Sequence, residues 1–296
     1  MKPIIRNYET KDEKQLKQLI RLTNQEDYFV HLLASGNTIQ AFSAVFEERL
    51  VGVIIAWKSK FHPYCTYIRI VSNPILSYSI FERDLLEMVE TNLAKVDYPL
   101  QVSVWDSSVG LIDFYNRNGF ELIRKTYMTK LQLDHVQDLL FPNQTEDIKS
   151  LAEIIEDEVR MRELTKLVKA NYEETHRSNP VADFDENRWK ALILEDILLD
   201  GSFIQFDQTM DNILAYSFLH HSDDHVETLE LGWCGCRSRN DRSYIPNLVI
   251  AQIQYGLVKG YTFLQGEFDT TDDYALEVLR NIPFPPCAAW NTYQKK

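Results

Sequence analysis

One succession of hydrophobic patterns runs along this chain twice, and that repetition limits the folds open to it more than any single motif does. The first half opens with a short apolar segment at residues 4–7. Thr10-Lys11-Asp12-Glu13 then leads into Leu16, Leu19, Ile20 and Leu22 at helical spacing. Residues 41–47 and 50–58 flank the charged turn Glu47-Glu48-Arg49 and predict a β-hairpin. A strand over 64–71, a helix over 81–93, a strand over 100–105, a helix over 109–116 and a strand over 127–133 complete one α/β unit. The second half repeats the order. Helices are expected at 148–172 and 188–199, strands at 203–206, 213–219 and 228–233, a helix at 245–258, a strand at 262–266 and a helix at 274–281. Between the halves, Pro142, Asn143 and Gln144 lie in a stretch without periodicity. The expected organisation is a domain over 1–135, a linker over 136–147 and a second domain over 148–296, related as an old tandem duplication of elements.

Composition excludes several classes. A net charge of −13 opposes the phosphate backbone of nucleic acids, and it either draws in cationic ligands such as amines or serves solubility alone, with no ligand needed. The longest apolar runs, such as 50–57, fall short of the roughly 20 residues a membrane-spanning helix needs. The opening Met1-Lys2-Pro3-Ile4-Ile5-Arg6 lacks the apolar stretch of a secretory signal, which places the chain in the cytoplasm. Cysteines at 65, 234, 236 and 287 make no disulfide framework, and no second Cys/His pair stands at zinc-finger spacing, so no metal is expected. His220 and His221 are adjacent, so a strand would point them to opposite faces.

The sharpest local signal follows the strand Val102-Ser103-Val104-Trp105: a short helix carrying Phe114-Tyr115, three residues, then Gly119-Phe120. Gly119 can end that helix in a left-handed conformation and return Phe120 to the core. The pattern resembles motif B of the GNAT superfamily of N-acetyltransferases, and the likeness extends over about residues 1–131, including Ile5-Arg6 and Asp12 before the first helix. The resemblance implies an α/β fold of two tandem GNAT-like domains. It also implies an acyl-CoA-dependent N-acyltransferase, with acetyl-CoA or another acyl-CoA as donor and an amine of a small molecule or peptide as acceptor. Tyr115 then stands where the family often places its general acid, the alternative being a phenol packed beside Phe114 with its hydroxyl in water. A strand amide at Ile70 or Val71 would polarise the thioester carbonyl.

The same resemblance exposes a defect. Acyl-CoA pyrophosphate is cradled by backbone N–H groups at a helix start, where glycines allow close approach. The corresponding places here are Ser77, Ile80 and Glu82, so both glycines are missing and a carboxylate stands where phosphate would come. The remaining donors are the N–H groups of Tyr78, Ser79, Ile80 and Phe81. In the second half, Arg237, Arg239 and Arg242 with Ser243 precede the helix at 245 and form an anion site or, alternatively, a solvated basic loop. Glu230, on the strand before that loop, is the candidate general base, against a plain strand carboxylate facing water. His62 is a generic second choice in the first half. Counting back from Pro283-Phe284 puts Leu279 where Tyr115 stands in the first half, so the second half lacks a phenol there. The competing expectation is a catalytically inactive GNAT-like protein that binds a metabolite or scaffolds. The oligomeric expectation is a monomer or homodimer.

Overall fold

The structure is a computed structural model that describes residues 2–23, 28–75, 81–136, 147–223 and 225–296. In chain order the first elements are β1 (Ile4–Asn7), α1 (Glu13–Leu22), α2 (Tyr28–Ala34), β2 (Thr38–Phe46), β3 (Arg49–Trp57), β4 (Thr66–Ser72), α3 (Phe81–Asn92), β5 (Leu100–Trp105), α4 (Val109–Arg117) and β6 (Glu121–Gln132). There follow β7 (Ile148–Ser150), α5 (Leu151–Ile154), α6 (Glu158–Thr175), α7 (Glu186–Leu194), β8 (Phe203–Phe206), β9 (Ile213–His221), β10 (Thr228–Cys236), α8 (Tyr244–Lys259), β11 (Phe263–Asp269), α9 (Asp273–Asn281) and β12 (Ala289–Lys295).

These elements form two compact units that do not follow the chain as contiguous halves. Unit 1 comprises Met1–Ile123, Ser178–Ala182 and Asn291–Lys296, and unit 2 comprises Arg124–Arg177 and Asp183–Trp290. The first boundary thus falls inside β6 rather than at residue 135, because most of that strand pairs with β11 from Thr126 to Gln132. Most of the expected linker, residues 137–146, lies outside the described residues.

In unit 1 the strands run in the order β1, β2, β3, β4, β5 and then the end of β12. β1 to β4 pair antiparallel, while β4 and β5 are parallel. β3 reads as an unbroken apolar run because both of its faces are covered. Val53 and Ile55 pack with Leu16, Leu19 and Ile20 of α1, and Ile54 and Ala56 pack with Leu85, Leu86 and Val89 of α3. Each fully buried leucine contributes about 1.5–3 kcal/mol by leaving water. Asp12 anchors the entry to α1: it is buried, pairs with Arg6 at 2.6 Å and accepts from the Ser43 hydroxyl at 3.0 Å.

Residues 178–182 belong to unit 1 through polar contacts. The Cys65 thiol donates to Asn179 Oδ1 at 3.2 Å, and Asn179 Nδ2 donates to the Tyr67 hydroxyl at 2.8 Å. Gln294 Nε2 donates to Gln101 Oε1 and to the Ser178 carbonyl, both at 2.8 Å.

Unit 2 repeats the arrangement, with order β6, β11, β10, β9, β8, β7 and one parallel pair, β10 with β11. α8 and α9 cover one core, around Leu229, Leu248, Leu264 and Phe268, and α6 and α7 the other, around Leu164, Val168, Ile193 and Phe218.

The helix expected over 148–172 is three elements. Residues 148–150 pair with Phe203–Gln205 as β7, and Asp157 ends the following turn and starts α6 by accepting from Val159 and Arg160 N–H. Asp157 is an N-cap placed inside what reads as a single helical run. α2 and β12 were not anticipated from sequence. With β7 and β12 in place, the repeat of elements is fuller than the sequence indicates.

Candidate functional site

Each unit contains a wedge where its parallel strands part. In unit 1, β4 and β5 pair only at Thr66 with Leu100 and Tyr67 with Gln101. The remainder of β4, from Ile68 to Ser72, faces a widening gap. In unit 2, β10 and β11 pair at Thr228 with Phe263, Leu229 with Leu264 and Glu230 with Gln265, and then part.

The unit 1 wedge is filled. Gly119 adopts φ +82°, as its motif predicts, and Phe120 returns to the core. Tyr115 packs edge-on against Phe114 and Phe120 and is only 1% exposed. Its phenol is not in water: the backbone N–H of Ile70 points at its oxygen, and burial pushes its pKa well up. Ile70 and Val71 are both buried. Phe81, the first residue of α3, lies over Gly52 so closely that a Cβ there would stand 2.5 Å from its ring. Glu82 is fully buried. The Ser72 hydroxyl and the N–H groups of Phe81 and Glu82 face its carboxylate, but neither oxygen reaches hydrogen-bond geometry, and burial raises its pKa. Tyr78, Ser79 and Ile80 lie outside the described residues. His62 Nδ1 lies 3.1 Å from the Pro180 carbonyl oxygen.

The unit 2 wedge is built differently. Between Leu231 and Cys234 the register of β10 against β9 slips, so that Gly232 and Trp233 together oppose one residue. Such a bulge leaves strand N–H and C=O groups outside the ladder and re-aims side chains. β4 has no counterpart, its pairing with β3 being regular from Tyr67 to Ser72. Glu230 through Cys234 are all half-buried, where Ile70 through Ser72 of β4 are buried. Glu230 sits at the base of the wedge and accepts from Gln265 Nε2 at 2.6 Å.

The loop after β10 carries the arginines. Arg237 bonds Glu163 and the Ile213 carbonyl, so it holds the loop to the strand start. Arg239 is 80% exposed and 3.9 Å from Glu174. Arg242 pairs with Asp273 at 2.9 Å and lies over the Tyr274 ring. Ser243 is exposed at the N-cap of α8 with helical backbone angles, and its hydroxyl makes no cap bond.

Beside this wedge lies a polar network that sequence reasoning missed. The Tyr274 hydroxyl donates to Asn171 Oδ1 at 3.3 Å and lies 3.2 Å from Glu174 Oε2. Asn171 Nδ2 donates to the Cys236 carbonyl at 3.2 Å. Gly235 is required there, because a Cβ would stand 2.2 Å from Asn171 Nδ2 and 2.7 Å from the Tyr216 hydroxyl. Burial pushes the Cys234 thiol well up and the Cys236 thiol to about 12, so both stay protonated. Asp272 caps α9 by accepting from Tyr274 and Ala275 N–H, and burial raises it to about 6. The partners come from α6, β9, β10 and α9, so no local pattern announces them. The Asp272-x-Tyr274 start of α9 is the one signal available.

Among the described residues no three His, Cys, Asp or Glu side chains form a metal cluster, and no helix is long and apolar enough to cross a membrane. His220 and His221 bond different groups, the Asp196 carbonyl and the Tyr261 hydroxyl.

No family model and no curated protein matches the chain. Solved structures do. An N-acetyltransferase related to GCN5 from Sphaerobacter thermophilus superposes with a TM-score of 0.66 at 14% identity, covering 99% of this chain and 95% of that one. A tandem GNAT protein from the clavulanic acid biosynthesis pathway gives 0.59 at 13% identity, covering 98% and 97%. A GNAT-family acetyltransferase from Colwellia psychrerythraea gives 0.53 at 13% identity, covering 99% and 100%. The chain has the GNAT fold. Sequence identities this low carry the GNAT architecture and leave the chemistry to the residues of the two wedges.

Proposed function

We propose that the chain is an N-acyltransferase that moves an acetyl or other short acyl group from acyl-CoA to an amine of a small molecule or peptide, with the donor held in unit 2. The observation that carries this reading is the bulged, half-exposed segment Glu230–Cys234 of β10, which leads into an arginine-bearing loop at the start of α8. Arg239, Arg242 and the Tyr244 N–H at the start of α8 would hold the donor's phosphates, the next two positions offering no free N–H because Ile245 donates to the Arg242 carbonyl and Pro246 has none. The Arg239–Glu174 pair is long and solvent-screened, worth at most about 1 kcal/mol, so phosphate can replace the carboxylate at little cost. At the start of α3 the second residue is a buried carboxylate, Glu82, and the residues before it, 76–80, lie outside the described residues.

Bound acyl-CoA supplies an activated thioester carbonyl. Strand N–H groups freed by the bulge would polarise that carbonyl. Glu230 would take the proton from the acceptor amine, directly or through a water. A base, or a water wire to one, is required because an alkyl amine with a pKa of about 10.4 is protonated at neutral pH. The leaving thiolate needs no dedicated acid: a thiol pKa near 8.5 makes it a good leaving group, so Leu279 in place of a phenol is tolerated. Tyr115 is assigned to the core of unit 1, where its buried ring packs against Phe114 and Phe120.

Leu279 also favours a second reading, a catalytically inactive module of the same fold that binds a donor or a cationic metabolite. Isothermal titration with CoA and acetyl-CoA, followed by thiol release over an amine panel, separates the two. Binding with release on at least one amine supports the enzyme, and binding without release across the panel supports the module. A failure of both ligands to bind below millimolar overturns the donor site.

A further inference from the structure

We infer that His220 is a second proton acceptor of the unit 2 wedge, with its Nε2 placed at the bulge where the acceptor amine would react. The inference deepens the proposed function and rests on it.

His220 of β9 lies directly opposite Glu230 of β10, so the two side chains share one face of the sheet. Just beyond this pair the ladder slips, and the imidazole leans over Gly232, the first residue of the bulge. The approach is close: a Cβ on Gly232 would stand 2.5 Å from Nε2 and 2.7 Å from Cδ2 of the ring. A side chain at 232 would therefore displace the imidazole from the bulge.

The other ring nitrogen fixes the tautomer. Nδ1 lies 3.2 Å from the Asp196 carbonyl oxygen, which can only accept, so Nδ1 carries the proton of the neutral ring. A bridge between Ile197 and His220 holds that carbonyl in place. The lone pair is then on Nε2, which makes no hydrogen bond among the described residues. Glu230 is held on the other side, toward β11: it accepts from Gln265 Nε2 at 2.6 Å, and Gln265 Nε2 also donates to the Ser222 hydroxyl at 3.2 Å. The start of the bulge is thus flanked by two different proton acceptors, a carboxylate and an imidazole.

An acceptor ammonium loses two protons on becoming an amide. Glu230 is assigned one of them. His220 Nε2 takes the other as the nitrogen–carbon bond forms and the carbon–sulfur bond breaks. A proton from water completes the thiol, both side chains return their protons to solvent, and one proton is released overall. As a class, imidazoles bind protons about two pH units above carboxylates and close to neutrality, which suits this task. The titratable groups on the elements beside His220 are Glu230 across the ladder, Glu267 on β11 and the exposed Asp196. His221 points to the other face and bonds Tyr261.

Two measurements test the inference. Nitrogen-15 NMR of the full chain, with the His220 signals assigned by their loss in His220→Gln, reads which ring nitrogen carries the proton of the neutral form. A protonated Nδ1 and a bare Nε2 are expected, and the reverse tautomer overturns the inference. Thiol release from acetyl-CoA over an amine panel is then followed between about pH 6 and pH 10 for the wild type, His220→Gln and His220→Asn. Asparagine keeps an N–H for the Asp196 carbonyl. Both variants should bind acetyl-CoA as the wild type does in calorimetry, lose roughly 10²–10⁴ in kcat/KM near neutral pH and change the shape of the pH–rate profile. Wild-type rates in the variants overturn the inference and leave the acyl-transfer reading standing. A loss that is uniform across pH, with the profile's shape kept, makes His220 a structural residue and overturns the inference too. Wild-type protein that releases no thiol on any amine overturns the acyl-transfer reading, and the role of His220 with it.

Discussion

Tyr115 and Leu279 occupy the same place, the seventh residue, in two nine-residue helices that each follow the second strand of a wedge. One is a phenol in a closed wedge, and the other an apolar residue beside an open one.

Tyr115→Phe should therefore leave acyl transfer unchanged. It removes the hydroxyl that the Ile70 amide faces, and a buried donor without a partner costs about 1–3 kcal/mol. Urea unfolding should register that loss while thiol-release rates stay at the wild-type value. A rate loss of a hundredfold with stability intact would return Tyr115 to the catalytic centre.

Gly235→Ala places a methyl against Asn171 and Tyr216, both of which are buried. Overpacking of this kind costs about 1–3 kcal/mol, and here it also displaces the polar network beside the open wedge. A lower unfolding midpoint together with weaker acetyl-CoA binding by calorimetry is expected. Unchanged affinity would separate the network from donor binding.

Glu230→Gln should keep donor affinity and lower the transfer rate by roughly 10²–10⁴ at neutral pH, the usual contribution of a general base. The deficit should shrink as pH approaches the acceptor amine's own pKa, since the amine then needs no base. A pH–rate profile for both proteins, with donor affinity measured in parallel, reads this directly, and parallel profiles would exclude Glu230 as base.

Asp272→Asn should flatten part of the pH dependence of stability. Burial, helped by Asp269 and Asp273 and opposed by the Ala275 and Tyr274 N–H groups, raises Asp272 from 3.8 to about 6. The native state then binds the proton more tightly than the unfolded chain, so this residue's contribution to stability falls as pH rises between those two values. Asparagine keeps the cap and cannot ionise. Thermal melts across that window should slope less for the variant, and equal slopes would show that Asp272 titrates normally.

The sequence made legible those parts of the fold that depend on neighbours along the chain. The turn from Phe114 to Phe120 and the parting strands it accompanies follow from local patterning, and Gly119 has the left-handed backbone its motif requires. β7 was hidden because Ile148 joins its apolar pattern to that of α6 and only pairing with β8 marks it as a strand. β12 is a strand through partners such as Ser103 and Gln101, far away in the chain. The arginines after β10 were visible as charges, whereas their carboxylate partners Glu163, Glu174 and Asp273 were not, since they come from α6 and α9. Glu82 was readable as a carboxylate at a phosphate position. Its burial depends on how Phe81 settles over Gly52.

Ser103 of β5 bonds Thr292 of β12 at 2.9 Å across 189 positions of chain. Synthesis at roughly 5–20 residues per second puts ten to forty seconds between the emergence of one strand and the other. Throughout that interval the growing polypeptide carries an unpaired β5 edge, the kind of surface that invites mispairing with other chains. The edge of β5 thus stays open until a strand made almost two hundred residues later covers it.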